Sequence, residues 1–296
     1  MAWMDAMRVF DRAAVRRHRD RAAATVDEVG DLLGDAADRL LDRLDDTRRR
    51  FDRALEIGGR GVVAPRLAAR GIATVSCDLS PAMAARAGAP AVAADEEWLP
   101  FAPGSFDLVV ASLSLHWVND LPGALIQIRH ALAPDGLFLA SLPGLGTLDA
   151  LRAALTEAEA ELRGGVSPRL SPFPDLRDCA GLLQRAGFAL PVADADDIFI
   201  RYADPLALLR DLRAAGEANA IAERSRVVPP RALFPAALAR LPVEGGRVPA
   251  RLRMIVMTGW APAATQPAPL RPGSATARLA DALDTVERPA GEKAGR

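Results

Sequence analysis

Lysine is nearly missing from this chain: Lys293 is the only one among 37 basic residues, and arginine takes its place. With abundant alanine, this bias has the character of GC-rich coding, and the expectation is a cytoplasmic bacterial protein. Cysteine is scarce. Cys77 and Cys179 stand far apart, which excludes a zinc cluster between them and any disulfide framework. The three histidines, His18, His116 and His130, form no HxxxH pair, and no metal site is expected. Aromatic residues make up 5%, too few for a stacking platform on single-stranded nucleic acid. A net charge of −1 supplies no global basic field, and no nucleic-acid partner is expected. No apolar run approaches the roughly 18 residues of a membrane span. The N-terminus lacks the apolar core of a signal peptide. Its arginines (Arg8, Arg12, Arg16, Arg17, Arg19 and Arg21) give it a transit-peptide look, but Asp5, Asp11 and Asp20 interrupt them, and such peptides are poor in acids.

What is present is ordinary for a globular chain: 296 residues, 50% hydrophobic and 25% charged, enough for one large α/β domain with additions. Residues 1–50 read as a charged helical flank, with Leu32, Leu33, Ala36, Leu40, Leu41 and Leu44 at helical spacing. Arg48 to Arg50 read as a solvated charge run. From Phe51 the pattern alternates. Strands are predicted at Arg53–Ile57, Ala73–Cys77, Ala91–Ala94, Phe106–Leu113 and Leu137–Leu142, with helices at Val62–Arg70, Pro81–Arg86 and Leu121–Leu132. Such alternation implies a parallel sheet with crossover helices. Phe106–Leu113, almost continuously apolar, reads as a central strand buried on both faces. Pro134-Asp135-Gly136 reads as a turn.

The second half, 147–262, reads as helix Thr147–Leu162 capped by Thr147, an ordered proline-rich loop Ser167–Pro174 and helix Asp178–Ala186. Strand Asp197–Tyr202, helix Pro205–Ala215 and strand Arg251–Trp260 follow. Residues 263–296 read as a disordered tail. No internal repeat is visible.

The chemistry concentrates in 51–146. An apolar run ends at Glu56, breaks into Gly58-Gly59-Arg60-Gly61, and feeds a helix; the next strand ends at Asp78. Glycines let backbone amides approach a ligand, and an acid at the following strand tip accepts hydrogen bonds from ribose hydroxyls. Asp95-Glu96 follows the third strand, so three successive strand ends carry acids along one crevice. Each acid alone is more often a cap or turn residue; it is the three at successive strand ends that carry the reading. His116 and Trp117, after the central strand, sit at the crevice mouth. His116 reads either as a weak candidate for substrate orientation or proton transfer, or as part of a packed shoulder.

Together these residues resemble the class I S-adenosylmethionine-dependent methyltransferases over Phe51 to Leu142. The resemblance implies a Rossmann-like fold, a mostly parallel seven-stranded sheet with helices on both faces. It also implies S-adenosyl-L-methionine as cofactor, held by Glu56, Gly58, Gly59, Gly61, Asp78, Leu79, Asp95, Glu96, Ser112 and Trp117. The acid-x-Gly-x-Gly-x-Gly turn of that superfamily is here one residue short, which shifts amides by up to about 3.5 Å unless the glycines compensate. A closer similarity joins Val9-Phe-Asp-Arg12, Asp95 to Phe101, Ser112 to Pro122, Gly164 to Pro168, Ser171-Pro-Phe173, Arg185 to Phe188, Gly216-Glu-Ala-Asn219 and Gly259-Trp260 to the mitochondrial complex I assembly-factor branch. That branch implies hydroxylation of an arginine in a quinone-site subunit of complex I, making such a subunit the expected protein partner. The malonyl-carrier-protein methyltransferase of biotin synthesis is a more distant likeness through the His-Trp-Val segment. Three readings stay open: a methyltransferase, an arginine hydroxylase, and a non-catalytic assembly chaperone that keeps the fold. The Ser167–Pro174 loop and the Asp197–Asn219 region are expected to shape the acceptor site.

Overall fold

The computed structural model describes residues 8–88, 90–267, 274 and 277–286. One compact unit reaches Ala263, and a second begins at Ala264. The first unit opens with α1 (Arg12–Ala22), whose N-cap Asp11 accepts a hydrogen bond from the Ala14 amide, and α2 (Gly30–Leu41). Then come β1 (Arg53–Ile57), α3 (Val63–Ala69), β2 (Ala73–Asp78), α4 (Pro81–Arg86), β3 (Ala91–Ala93) and β4 (Phe106–Ser112). α5 (Leu121–Ala131), β5 (Leu132–Pro143), α6 (Asp149–Arg163), α7 (Leu176–Arg185), β6 (Ala189–Tyr202), α8 (Pro205–Ala214), α9 (Leu233–Leu238) and β7 (Val248–Trp260) complete it. In the second unit the described residues include one helical turn, α10 (Leu279–Ala282). Residues 268–273, 275, 276 and 287–296 of the expected disordered tail, like residues 1–7 of the N-terminal flank, lie outside the described residues.

The sheet has seven strands in the order β3-β2-β1-β4-β5-β7-β6. β1 to β5 pair in parallel, and β7 runs antiparallel between β5 and β6. Strands β6 and β7, from the second half of the chain, thus complete the sheet that the first half begins. Alternation along the central strands divides two cores. Leu108 and Val110 of β4 and Leu137 and Leu139 of β5 pack with the leucines of α2 on one face. Val109, Ala111, Phe138 and Ala140 pack with Leu125, Ile128 and Leu183 on the other. That is the strand period of two applied to a sheet covered on both sides. A third core joins α6, α8 and α9 to Tyr202, Val248 and Ala250, where β6 ends against the start of β7.

Several local expectations are corrected. Thr147 does not cap α6: its hydroxyl accepts from the Arg253 amide and donates to the Arg253 carbonyl on β7, and Leu148, at φ 53°, starts the helix with no side-chain cap. Pro134 to Gly136 does not separate helix from strand. β5 already begins at Leu132, and the segment is absorbed as a shift in the β4–β5 pairing, with Asp135 at φ 64°. β6 begins eight residues before its predicted start, at Ala189 rather than Asp197. Asp194 and Asp196 made that stretch look unlike a strand, and they are held by Arg43 and Arg39 from the N-terminal helical region.

The proline-rich loop after α6 is ordered by one acid. Glu159 accepts from the amide and hydroxyl of Ser167 at 3.1 and 2.8 Å and from Arg169 Nε at 2.9 Å. Arg152 adds bonds to the carbonyls of Leu170 and Ser171. Arg169 and Ser167 hold Glu159 at a pKa of about 2, against an ordinary 4.5. A depressed carboxylate stabilises the fold above its unfolded pKa and loses that contribution as pH falls through the folded value. Glu159→Gln should therefore lose about 2–3 kcal/mol in urea unfolding at pH 7. The gap to the unmodified protein should narrow between pH 4.5 and 2; a gap independent of pH would remove the ionised Glu159 from the account.

Candidate functional site

The parallel strands end their carboxyl tips along one crevice, and the turn after β1 forms its floor. Gly58 and Gly61 both sit at φ 77°, where a side chain is strained. Space is also closed at Gly58: a Cβ there would lie 2.2 Å from the Ser114 Cβ. The amides of Gly58 and Gly59 both donate to the Cys77 carbonyl, at 2.8 and 3.1 Å, so they close the β1–β2 ladder. Glu56 lies buried beneath this turn. It accepts from Ser76 Oγ at 2.6 Å and from the amides of Val63 and Ala64 at the start of α3. Burial pushes its pKa up, with those donors opposing. Its role in this arrangement is to brace the turn.

The other acids lie under α1. Two-way hydrogen bonds between Phe10 backbone and the Asn119 amide group, at 2.8 and 3.2 Å, pin the start of that helix. The Asp11 amide also donates to the Ala220 carbonyl at 2.8 Å. Arg12 and Arg19, seven residues apart, share one face of the helix with Val15 and Ala22. Arg19 is fully buried. It donates to Asp78 Oδ2 at 2.8 Å and to Glu96 Oε1 at 3.1 Å; the second Asp78 oxygen accepts from the Ser80 amide at 2.7 Å. Arg12 binds Asp95 Oδ1 at 2.6 Å, the Trp117 carbonyl at 3.0 Å and Glu96 Oε2. Burial alone would lower the Arg19 pKa, but Asp78 and Glu96 outweigh it and hold the guanidinium charged. Burial likewise pushes Glu96 up, and Arg19 and Arg12 bring it below the usual carboxylate range. Asp78 ends above its usual value, because burial exceeds what Arg19 offsets. Cys77 beneath them stays a thiol, raised by burial and by Glu96.

His116 is not a lone histidine. Its Nε2 lies 2.7 Å from Glu217 Oε2, which also accepts from Trp117 Nε1 at 2.7 Å. Arg60, from inside the glycine turn, donates to Glu217 Oε1 at 2.7 Å. Burial would raise Glu217, but His116 and Arg60 hold it far below the usual range. Leu79 packs with Phe10, Val15 and Trp117 in a small apolar cluster against α1. Ser112 stays within the β4–β5 pairing opposite Ser141. The serine that meets the glycine turn is Ser114: its hydroxyl donates to the Ile57 carbonyl and its carbonyl accepts from Arg19. Both follow from strand geometry, since Leu113 at φ 47° turns the chain across the crevice only after Ser112.

Beyond Arg60, His116, Trp117 and Glu217 opens a cavity of about 330 Å³, walled mainly by leucines of α6 and α8 and by Ile200 and Leu252. The ordered loop supplies Leu170, Ser171 and Phe173 to its wall. Sequence reasoning singled out neither Arg19, Arg60 nor Glu217 as a site residue. The heptad pairing of Arg12 with Arg19 and the arginine inside a glycine turn were the available signals. Glu217 was visible only as part of the Gly216-Glu-Ala-Asn219 likeness.

This strand order, with a glycine turn after β1 and acids at the tips of β1 and β2 and just past β3, defines the class I S-adenosylmethionine-dependent methyltransferase fold. Residues 55–140 match the methyltransferase domain family. The YcgJ protein of Bacillus subtilis superposes with a TM-score of 0.52 at 16% identity, covering 76% of this chain and 98% of that one. The mitochondrial arginine-hydroxylase NDUFAF5 of Danio rerio is 37% identical over 287 residues, 93% of this chain and 89% of its own. The malonyl-[acyl-carrier protein] O-methyltransferase of Halorhodospira halophila is 35% identical over 270 residues, 85% of this chain and 88% of its own. The chain belongs to the family of arginine-hydroxylase NDUFAF5, enzymes built on the methyltransferase fold. The expectation of a cytoplasmic bacterial protein is corrected by the same finding: these vertebrate relatives are mitochondrial, and arginine-rich composition does not report cellular address. Among the described residues no helix is long and apolar enough to cross a membrane.

Removing the guanidinium that compensates two buried acids is expected to be severe. Arg19→Met should lose about 3–5 kcal/mol in chemical unfolding. Adding Glu96→Gln to it should recover part of the loss, because the pair shares one network. Additive losses in the double variant would mean that charge compensation is not what Arg19 supplies.

Proposed function

We propose that this protein modifies the side chain of an arginine on a protein partner, a subunit of complex I, and that S-adenosyl-L-methionine occupies the crevice under α1. The observation that carries the reading is the likeness to arginine hydroxylases at 37% identity over nearly the whole of both chains. The malonyl-carrier reading rests on likenesses over shorter spans, 270 residues at 35% identity in the relative above. Two features of the site support arginine modification. The cavity beside the crevice is apolar along its walls, as the three-methylene stem of an arginine requires, and it contains carboxylates. It also opens next to His116 and Trp117, so an acceptor there and a ligand in the crevice would share a wall.

The crevice suits the cofactor in its donor–acceptor sense. Asp78, Asp95 and Glu96 are acceptors near the strand tips, and the ribose hydroxyls and adenine amine are donors. Arg19 and Arg12 supply those donors at present. Asp78 would hold the ribose, and Asp95 with Glu96 the adenine side, once α1 yields those oxygens. Leu79 and Trp117 would flank the ring, with Gly61 at the methionine end. The bound cofactor supplies a sulfonium with an electrophilic methyl group. The chain's own contribution is placement: the cavity walls orient the acceptor, and the Glu217 network fixes His116 and Trp117.

Intact-mass measurement of the quinone-site complex I subunit from a deletion strain tests the reaction. Loss of one oxygen atom is expected, because hydroxylation takes one oxygen atom from dioxygen, with two electrons from an external reductant taking the other to water, and draws nothing from the sulfonium; loss of a methylene instead would make the enzyme a methyltransferase. An unchanged mass would overturn the proposed modification and favour the assembly-chaperone reading. Calorimetry tests the cofactor: S-adenosylmethionine should bind the folded protein, and Asp78→Ala should weaken it by roughly 1.5–3 kcal/mol. A folded protein that binds neither the cofactor nor its demethylated product would empty the crevice of that role.

A further inference from the structure

The cavity contains one acid whose hydrogen-bonding capacity the protein leaves open. Glu217 is filled by Arg60, His116 and Trp117. Asp211, on α8, also lines the cavity, and its single side-chain partner among the described residues is the Tyr202 hydroxyl, at 2.9 Å from Oδ2. Burial, and then Asp211 itself, raise the Tyr202 pKa, so the phenol remains protonated and donates. A donated hydrogen bond does not neutralise the carboxylate, and Oδ1 is left to the cavity.

A carboxylate facing leucine and isoleucine walls leaves acceptor capacity that a cation or further donors can meet. Three cations line the cavity, and none pairs with Asp211 among the described residues. Arg60 pairs with Glu217 and Arg169 with Glu159. Arg213 also lines the cavity, but it stands two positions along α8 from Asp211, and residues two apart on a helix do not face each other. The Asp211 oxygen and the Tyr202 phenol oxygen lie together as two adjacent acceptors at one wall of an apolar chamber.

We propose that Asp211 and Tyr202 form the subsite that receives the guanidinium of the acceptor, with the leucine walls covering its aliphatic stem. A planar guanidinium offers paired N–H donors in a rigid fork, which matches a carboxylate oxygen beside a phenol oxygen. It is also more weakly hydrated than an ammonium, and so better suited to a chamber of this character. The volume of about 330 Å³ sits at the lower end of ligand pockets, which run from roughly 300 to 1,000 Å³, and suits a single long side chain. Asp211 is thus a specificity-determining residue. The proposal rests on the arginine-modifying function above and adds which carboxylate reads the charge.

Two arms keep the two ideas separable. In the first, ligand-observed NMR compares n-butylguanidinium with its neutral isostere n-butylurea. The guanidinium should bind the unaltered protein about tenfold or more tightly than the urea, and Asp211→Asn should erase the preference. Asn keeps an acceptor for Tyr202, and thermal unfolding checks that the variant folds; the comparison in the unaltered protein needs no variant at all. Equal binding of the two probes, binding of neither, or a preference that survives Asp211→Asn overturns the subsite. In the second arm, the arginine of the complex I subunit is examined by mass in the deletion strain and in an Asp211→Asn strain. Unmodified arginine in both supports the subsite. Loss in the deletion alone overturns the subsite but leaves the function intact. If the deletion changes nothing, the arginine-modifying function fails, and the probe comparison still decides whether the cavity reads a guanidinium.

Discussion

The architecture of the site depends on one buried guanidinium. Arg19 lies at 0% exposure between Asp78 and Glu96, carried there by a helix that belongs to neither the sheet nor its crossovers. Taking such charges out of water costs several kcal/mol per ion, and only close, multiply bonded pairing offsets it. The chain meets that condition by anchoring α1 at its start, through Asn119 and Ala220, and by placing Arg12 one face-repeat earlier on the same acids. The result is a crevice whose acids are satisfied by the protein itself. A ligand that uses those acids must supply donors in place of the guanidiniums; neutral hydroxyl and amine donors would replace their hydrogen bonds but not their charge.

Much of the fold was legible because the responsible signals are local. β1 and α4 fall on their predicted boundaries, since an apolar run ending at a glycine turn and a Ser-Pro helix start leave little choice. The parallel strands and their crossover helices follow from strands alternating with helices, while the full count of seven was what the methyltransferase resemblance implied. What was less legible depends on partners far along the chain. Asp194 and Asp196 argue against a strand until Arg43 and Arg39 are seen to meet them. α9 is six residues long and carries no periodicity that a short window can separate from a loop.

The site divides the same way. The acids at the strand tips were visible because topology places successive tips together. Their occupants were not, because an arginine on a charged helix carries no local sign of burial; six arginines between Arg8 and Arg21 look alike in sequence, and only Arg19 is fully enclosed. His116 looked solitary for a similar reason. Its partner Glu217 is 101 residues away, just past the glycine that ends α8. Ser114 displaced Ser112 by a single φ of 47° at Leu113, a backbone choice that residue identity does not announce.

Glu217 makes the crevice under α1 and the cavity beside it electrostatically dependent on each other. It is held ionised against burial by His116, Arg60 and, at longer range, Arg19; Arg19 in turn is held charged partly by Glu217. Buried charges at such separations are weakly screened, so each feels a change in the other's surroundings. If Arg19 leaves Asp78 for a ligand, part of the positive field on Glu217 leaves with it, and His116 and Arg60 become its remaining counter-charges. A change of charge in the crevice therefore reaches the cavity wall through Glu217.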